Sequence, residues 1–144
     1  MIDSTLMPCP FCELPQDRII TGNDIAIAIR DAFPISPGHT LIMPMRHVTS
    51  FFDTTTEERL AMFELLDTVK RELGSSPLTG EDRGGGSAHA TQPAAYNIGV
   101  NDGALAGQTI MHVHVHLIPR YAGDDSDPRG GVRRIFPKKA KYWK

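Results

Sequence analysis

The sequence predicts an α+β fold in which an antiparallel sheet of about five strands carries one main helix. Short apolar and β-branched runs outnumber the single long stretch with helical periodicity, and most connections between these runs are short. No internal repeat is apparent. A chain of 144 residues lies in the ordinary range for one domain, so we predict a single domain over residues 1–144.

Five runs of the sequence predict strands: residues 18–21, 24–29, 39–44, 95–101 and 112–116. The first two flank the turn pair Gly22-Asn23 and therefore form a predicted hairpin. The third run is apolar and ends at Pro44, which is typical of a buried strand.

The main helix is predicted from a capping box and a periodic apolar face. Thr55 and Glu58 have the spacing of the box, in which each side chain bonds the backbone of the other residue. The apolar positions that follow at helical spacing are Met62, Leu66, Val69 and Leu73. Gly74 is a natural stop, and residues 74–94, which are rich in glycine and small polar residues, predict a flexible loop.

Composition excludes several classes of protein. No apolar stretch approaches the ~20 residues of a membrane-spanning helix, so we expect no membrane partner. The first residues resemble neither a secretory nor a mitochondrial leader, and we expect a cytoplasmic location. A net charge of −2 gives no reason to expect nucleic-acid binding, although the C-terminal extension, residues 122–144, is polar and then basic.

Three histidines alternate with apolar residues in the fifth predicted strand: His112, His114 and His116. Successive side chains of a strand point to opposite faces, so these imidazoles project from one face and the apolar residues from the other. Neighbouring imidazoles lie about 7 Å apart along the strand, and a phosphate-sized group fits among them. Neutral imidazole is a good nucleophile near pH 7, which favours covalent catalysis at the middle histidine.

The loop before the histidines favours an anion. Gly103, Gly107, Gln108 and Thr109 offer backbone amides, a side-chain amide and a hydroxyl, which suit a phosphate. Two alternatives stay open at this point. The three histidines could instead hold a catalytic zinc ion with an open position, or they could be polar residues on a solvated sheet face.

The run from His112 to Ile118 resembles the signature of the histidine triad (HIT) family. Residues 31–47 look like the first motif of that family, and Asn101 with residues 107–109 looks like its phosphate loop. The resemblance covers roughly Cys9 to Tyr121 and implies a HIT-like fold, a homodimer and an adenine nucleotide as substrate.

The resemblance also implies roles for individual residues. His114 attacks the α-phosphorus of a nucleotide, His116 helps to hold the phosphate oxygens, and His39 supports the triad from a neighbouring strand. The implied catalytic residues are His39, His112, His114 and His116. The implied substrate-binding residues are Asp31, which would contact the ribose hydroxyls, Asn101, Gly107, Gln108 and Thr109.

Cys9 and Cys12 have the two-residue gap of a zinc knuckle, but they supply only half of a tetrahedral site. By resemblance to relatives with this cysteine pair, His47 and His112 complete the site. The zinc would be structural and would hold the N-terminal segment without touching the chemistry, which itself needs no cofactor. Free thiols are the alternative.

The functional prediction is a nucleotide phosphohydrolase that cleaves dinucleoside polyphosphates or nucleoside phosphoramidates through a nucleotidyl-histidine. A nucleotidyl transferase would use the same intermediate, and a regulatory module would bind adenine nucleotides without turnover. Residues 127–133 resemble a segment of a bacterial branch of the family, which implies that an arginine there contacts polyphosphate.

Overall fold

The computed structural model describes residues 8–75 and 92–144. The strands are β1 (Ile19–Gly22), β2 (Ala26–Arg30), β3 (Thr40–Pro44), β4 (Ala95–Val100) and β5 (Val115–Arg120). The helices are α1 (Thr56–Ser75) and the short α2 (Pro137–Ala140). Strands pair antiparallel throughout in the order β1-β2-β3-β5-β4, so the predicted fold class is confirmed.

The sheet buries apolar side chains on both faces. On one face α1 covers a cluster that includes Ile42, Met62, Val69, Leu73, Val115 and Leu117. The opposite face carries a smaller cluster of Phe11, Ile27, Ile29, Leu41 and Met43. Full burial of such a side chain contributes about 1.5–3 kcal/mol, so both clusters stabilise the fold and the larger helix-side cluster contributes more.

Helix α1 begins as its sequence predicts. The Thr55 amide donates to Glu58 Oε2 at 2.8 Å, and the Glu58 amide donates to Thr55 Oγ1 at 3.1 Å. The predicted stop at Gly74 is wrong, because Gly74 has no positive φ and the helix includes Ser75. Of the predicted loop 74–94, residues 76–91, which include His89, lie outside the described residues.

The histidine run differs from the prediction, because β5 does not begin until Val115. Before that point the main chain bonds outside the β-ladder, and the Val113 amide donates to the Val48 carbonyl at 2.8 Å. The His112 carbonyl accepts from the ring of His114 at 2.8 Å. Two of the three histidines therefore lie in the segment that leads into β5, and only the third is in the strand.

The C-terminal extension is folded onto the sheet. It contains a 3-10 turn, Gly131–Ile135, followed by α2, and the turn contacts β4. Among the residues that the structure describes, no helix has both the length and the apolar character that a bilayer crossing requires. That residues 1–144 form one domain stays a prediction.

Candidate active site and adjoining metal centre

His114 is oriented by the main chain two residues before it. Its Nδ1 lies 2.8 Å from the His112 carbonyl oxygen, which can only accept, so we assign the ring proton to Nδ1. Nε2 then carries a lone pair, as a nucleophilic imidazole requires. The centroid of the His114 ring lies 5.0 Å from that of His116, so these two rings share one site.

A chain of hydrogen bonds leads from the backbone to His116. The Ile35 amide donates to His39 Nδ1 at 3.3 Å, which places the proton of a neutral His39 on Nε2. His39 Nε2 donates to His116 Nδ1 at 3.0 Å, which in turn leaves the His116 proton on Nε2. His116 Nε2 is buried without a hydrogen-bond partner among the described residues. This donor remains unsatisfied until an acceptor such as a phosphate oxygen arrives.

Burial keeps the rings of His39 and His116 neutral at pH 7. Desolvation, with the neighbouring His114 and His39, lowers the pKa of His116 from 6.5 to about 4. Desolvation also lowers the pKa of His39, against the opposing effect of the Asp31 carboxylate. The proton positions assigned to His39 and His116 therefore hold over the physiological range.

Asp31 lies beside the same chain. Its Oδ1 accepts from the Phe33 amide at 2.9 Å, and its Oδ2 lies 3.5 Å from His39 Nε2. The side chain is 16% exposed, and a carboxylate has about four acceptor positions, so lone pairs remain for sugar hydroxyls. The ribose contact of Asp31 stays a prediction.

Gln108 fixes the glycine-bearing loop that precedes the histidines. Its Nε2 donates to the carbonyls of Thr49 and Ile110 at 2.9 and 3.1 Å. Its Oε1 accepts from the Gly103 amide at 2.8 Å. Because the side chain is buried and both amide hydrogens are used, Gln108 supports the loop. The contact of this side chain with phosphate stays a prediction.

The other predicted residues of the loop divide into two kinds. Gly107 has a φ of +94°, which suits glycine, and its amide already donates to Ala104 at 3.0 Å. Gly107 therefore shapes the loop. Asn101 is half-buried and Thr109 is exposed, and neither side chain has a hydrogen-bond partner within residues 8–75 and 92–144. These two polar groups remain available to a ligand.

A second cluster brings together the four predicted zinc ligands: Cys9, Cys12, His47 and His112. His112 Nδ1 lies 3.5 and 3.6 Å from the two sulfurs, and His47 Nδ1 lies 3.3 Å from Cys12 Sγ. Zinc bonds of ~2.3 Å to sulfur and ~2.0 Å to nitrogen at tetrahedral angles require sulfur–nitrogen separations of about 3.5 Å. The donor atoms are therefore spaced for zinc.

The orientation of His112 also fits a metal ligand. Its Nε2 donates to the Pro44 carbonyl at 2.7 Å, which leaves the Nδ1 lone pair directed to the cysteines. With both nitrogens of His112 engaged in this way, the three-histidine catalytic zinc site is not assembled. The metal cluster adjoins His114, because the His112 carbonyl accepts from the His114 ring.

Phe11 joins the two clusters, and sequence reasoning missed it. It lies between the two cysteines, and its ring stands edge-on to His114 at 5.2 Å and to His112 at 6.0 Å. The side chain is buried in the smaller apolar cluster. The sequence signal that could have identified Phe11 is an aromatic residue between the two cysteines.

The arginines of the C-terminal extension are engaged within the extension. Arg129 pairs with Asp127 at 2.8 Å, and Arg134 pairs with Asp125 at 3.2 Å. Arg133 donates to two carbonyls of the α2 region. The contact between an arginine and polyphosphate stays a prediction, and none of these guanidinium groups is free among the described residues.

The sheet thus brings an oriented histidine, His114, and a buried donor without a described partner, His116 Nε2, to one site. Residues 13–123 match the HIT domain. The chain therefore belongs to the HIT family. An uncharacterized HIT-like protein of Mycobacterium tuberculosis is 36% identical over 124 residues, which covers 82% of this chain and 75% of that protein. An AP-4-A phosphorylase of the same species is 26% identical over 121 residues, which covers 80% of this chain and 55% of that protein.

Solved structures agree with this assignment. A HIT family protein from Bacillus anthracis has a TM-score of 0.64 and 27% identity, and the match covers 81% of this chain and 76% of that one. A zinc-bound histidine triad family protein from Mycobacterium smegmatis has a TM-score of 0.56 and 30% identity, with 84% and 85% covered.

Proposed function

We propose that this protein hydrolyses adenine nucleotides at a phosphoanhydride or phosphoramidate bond and forms a nucleotidyl-histidine on His114. The observation that carries the proposal is the hydrogen bond from His114 Nδ1 to the His112 carbonyl, which leaves Nε2 as the nucleophile. Dinucleoside polyphosphates and nucleoside phosphoramidates both present an α-phosphorus to such a nitrogen.

In the first step the Nε2 lone pair of His114 forms a bond to the α-phosphorus as the bond to the leaving group breaks. The electron pair of that bond departs with the leaving group. A polyphosphate leaves as an anion, whereas an amine takes a proton from water. The positive charge that develops on the His114 ring is stabilised because Nδ1 already donates to a carbonyl.

The phosphoryl oxygens find their donors in the same site. His116 Nε2 carries the proton that has no partner in the described chain, and the side chains of Asn101 and Thr109 add further polar groups. A buried donor that is satisfied only by the reacting phosphate strengthens binding of the transition state.

In the second step a water oxygen attacks phosphorus and the nitrogen–phosphorus bond breaks. Its electron pair returns to Nε2, and the water proton passes to solvent. The similarity to an AP-4-A phosphorylase favours one alternative, in which inorganic phosphate replaces water as the acceptor. The product would then be a nucleoside diphosphate, formed by a nucleotidyl transferase.

Two further parts of the proposal concern assembly. Cys9, Cys12, His47 and His112 hold a structural zinc ion, in line with their spacing and with the zinc-bound relative. The protein is a homodimer in the cytoplasm and binds neither nucleic acid nor membranes. The position of β4 as an edge strand of the sheet, with Ile98 half exposed, supports a partner at that edge.

Intact-protein mass after brief mixing with an adenosine phosphoramidate or diadenosine polyphosphate tests the mechanism. We expect an adduct of adenylate mass on the native chain and none on His114→Ala. Inclusion of inorganic phosphate separates the acceptors, because only transfer to phosphate yields adenosine diphosphate from the phosphoramidate. Steady turnover without an adduct, or turnover by His114→Ala, would disprove the covalent mechanism. Binding with neither adduct nor turnover would indicate the regulatory module.

A further inference from the structure

We propose that Cys9 and Cys12 are an oxidation site: peroxide joins them in a disulfide, which releases zinc and withdraws the support of His114. The proposal rests on the zinc ion and the nucleophile of the proposed function. Residues 1–144 contain two cysteines, so a disulfide within one molecule can join only this pair. Of the donor atoms in the metal cluster, the two sulfurs are the ones that peroxide oxidises.

The turn that carries the two cysteines suits a disulfide. The Cys12 amide donates to the Cys9 carbonyl at 3.1 Å, which closes a tight turn. The Cα atoms at the two ends of such a turn lie less than about 7 Å apart, and a disulfide joins Cα atoms about 4.4–6.8 Å apart. The two sulfurs already lie within 4.8 Å of each other, so rotation of the side chains can bring them together.

The two sulfurs differ in their access to an oxidant, because Cys12 is exposed and Cys9 is half-buried. Zinc holds cysteine ligands as thiolates, which is the form that reacts with peroxide. The Cys12 thiolate attacks a peroxide oxygen, the oxygen–oxygen bond breaks, and hydroxide leaves a sulfenic acid behind. The Cys9 thiolate then attacks the Cys12 sulfur and expels a second hydroxide. Two electrons thus pass from the cysteines to one peroxide molecule.

The disulfide and the zinc site exclude each other. Two sulfurs on a tetrahedral zinc ion lie about 3.8 Å apart, whereas bonded sulfurs lie about 2.0 Å apart and carry no charge. His47 and His112 alone provide only half of the four ligands, so zinc leaves. The Nδ1 atom of His112, which faces the two sulfurs at 3.5 and 3.6 Å, then loses the metal.

Loss of the metal reaches His114 by two routes. The His112 carbonyl accepts from His114 Nδ1 at 2.8 Å, so a shift of His112 disturbs the bond that leaves Nε2 free to attack. Phe11 lies between the two cysteines, and its ring stands edge-on to His114 at 5.2 Å. A change in the turn therefore also changes the packing against the nucleophile. Loss of such supporting interactions costs about 10–100-fold in activity.

The test treats reduced, zinc-loaded protein with hydrogen peroxide and follows intact mass, thiol content and released zinc. We expect loss of two hydrogens from the monomer mass, one zinc ion released per disulfide, and nucleotidyl adduct formation slower by roughly 10-fold. Dithiothreitol with added zinc should reverse all three changes. Cys9→Ser should instead gain oxygen on Cys12 and form no disulfide within the molecule. Met111→Leu is the matched control, because Met111 is a second oxidisable sulfur, 44% exposed and adjacent to His112, and this variant should respond like native protein.

Zinc that stays bound after the disulfide forms, a disulfide only between molecules, or an unchanged rate of adduct formation after oxidation would overturn the inference. A Met111→Leu variant that no longer responds would also overturn it. The mass and zinc measurements need no nucleotide, which separates this inference from the proposed function. Disulfide formation with zinc release, in protein whose reduced form gives no adduct, supports the oxidation site while the proposed function fails. Adduct formation that peroxide leaves unchanged has the opposite meaning.

Discussion

The carbonyl oxygen of His112 accepts from Nδ1 of His114 at 2.8 Å, and the same His112 directs its own Nδ1 to the sulfurs of Cys9 and Cys12. One residue therefore belongs to the metal cluster through its side chain and to the active site through its backbone. Phe11, which contacts both rings, makes a second connection.

We expect removal of the proposed zinc ion to affect turnover as well as stability. Cys12→Ser should lose zinc, lower the melting temperature and lower kcat by roughly 10-fold, because the support of His114 becomes looser. Metal content, thermal unfolding and single-turnover kinetics measure these effects. Restoration of kcat by zinc added back to chelated native protein is the control. Full turnover by protein shown to be free of zinc would contradict the coupling.

Stability should fall as the pH falls from 6.5 towards 4. Burial lowers the folded-state pKa of His116 to about 4, so below pH 6.5 the unfolded chain takes up a proton that the folded protein does not. With respect to this group, the free energy of unfolding is therefore highest above pH 6.5. It declines by about 3 kcal/mol over this window.

Urea unfolding of native protein and His116→Asn between pH 4 and 7.5 measures this contribution. The variant should show a shallower dependence on pH, by as much as one proton. The neighbouring His39, whose pKa is also lowered by burial, adds to the slope in both proteins. Identical slopes would show that His116 titrates normally.

Gln108→Ala should destabilise the protein and also lower its turnover. The substitution leaves the carbonyls of Thr49 and Ile110 without their donor, at a cost of about 2–3 kcal/mol. Thr109→Ala is the matched comparison, because its exposed hydroxyl has no described partner and its loss should lower turnover alone. Denaturation midpoints and kcat/KM of the two variants distinguish the roles. A stable but inactive Gln108→Ala variant would instead indicate that the Gln108 side chain contacts phosphate directly.

Thr55→Ala should lower the free energy of unfolding by about 1 kcal/mol, because the first turn of α1 loses its cap. Thr56→Ala, one residue further on, is the control and should change stability little. Both variants should keep native kcat, since the helix contacts the sheet face opposite the histidines. Chemical denaturation measures the difference, and equal stability of the two variants would be evidence against the cap.

The sequence was sufficient for the α+β class, the five strands and the start of α1, because periodicity and capping are local properties. It misplaced the start of β5. Side chains of the histidine run form hydrogen bonds with backbone carbonyls, and these bonds compete with strand pairing. Gln108 was assigned to phosphate for a similar reason: its type permits the contact, but only the fold reveals that its donors are used.

The placement of Phe11 depends on a distant part of the chain. Its ring lies against His114, more than a hundred positions along the sequence. This contact has no periodicity or spacing from which it could be predicted.

The amide hydrogen of Ile35 determines which nitrogen of His39, and then of His116, carries a proton. Every amino acid except proline supplies that hydrogen, so the chemistry constrains the main chain at position 35 and leaves the side chain unconstrained. Substitutions of the Ile35 side chain should therefore leave the proton arrangement of the histidines as it is.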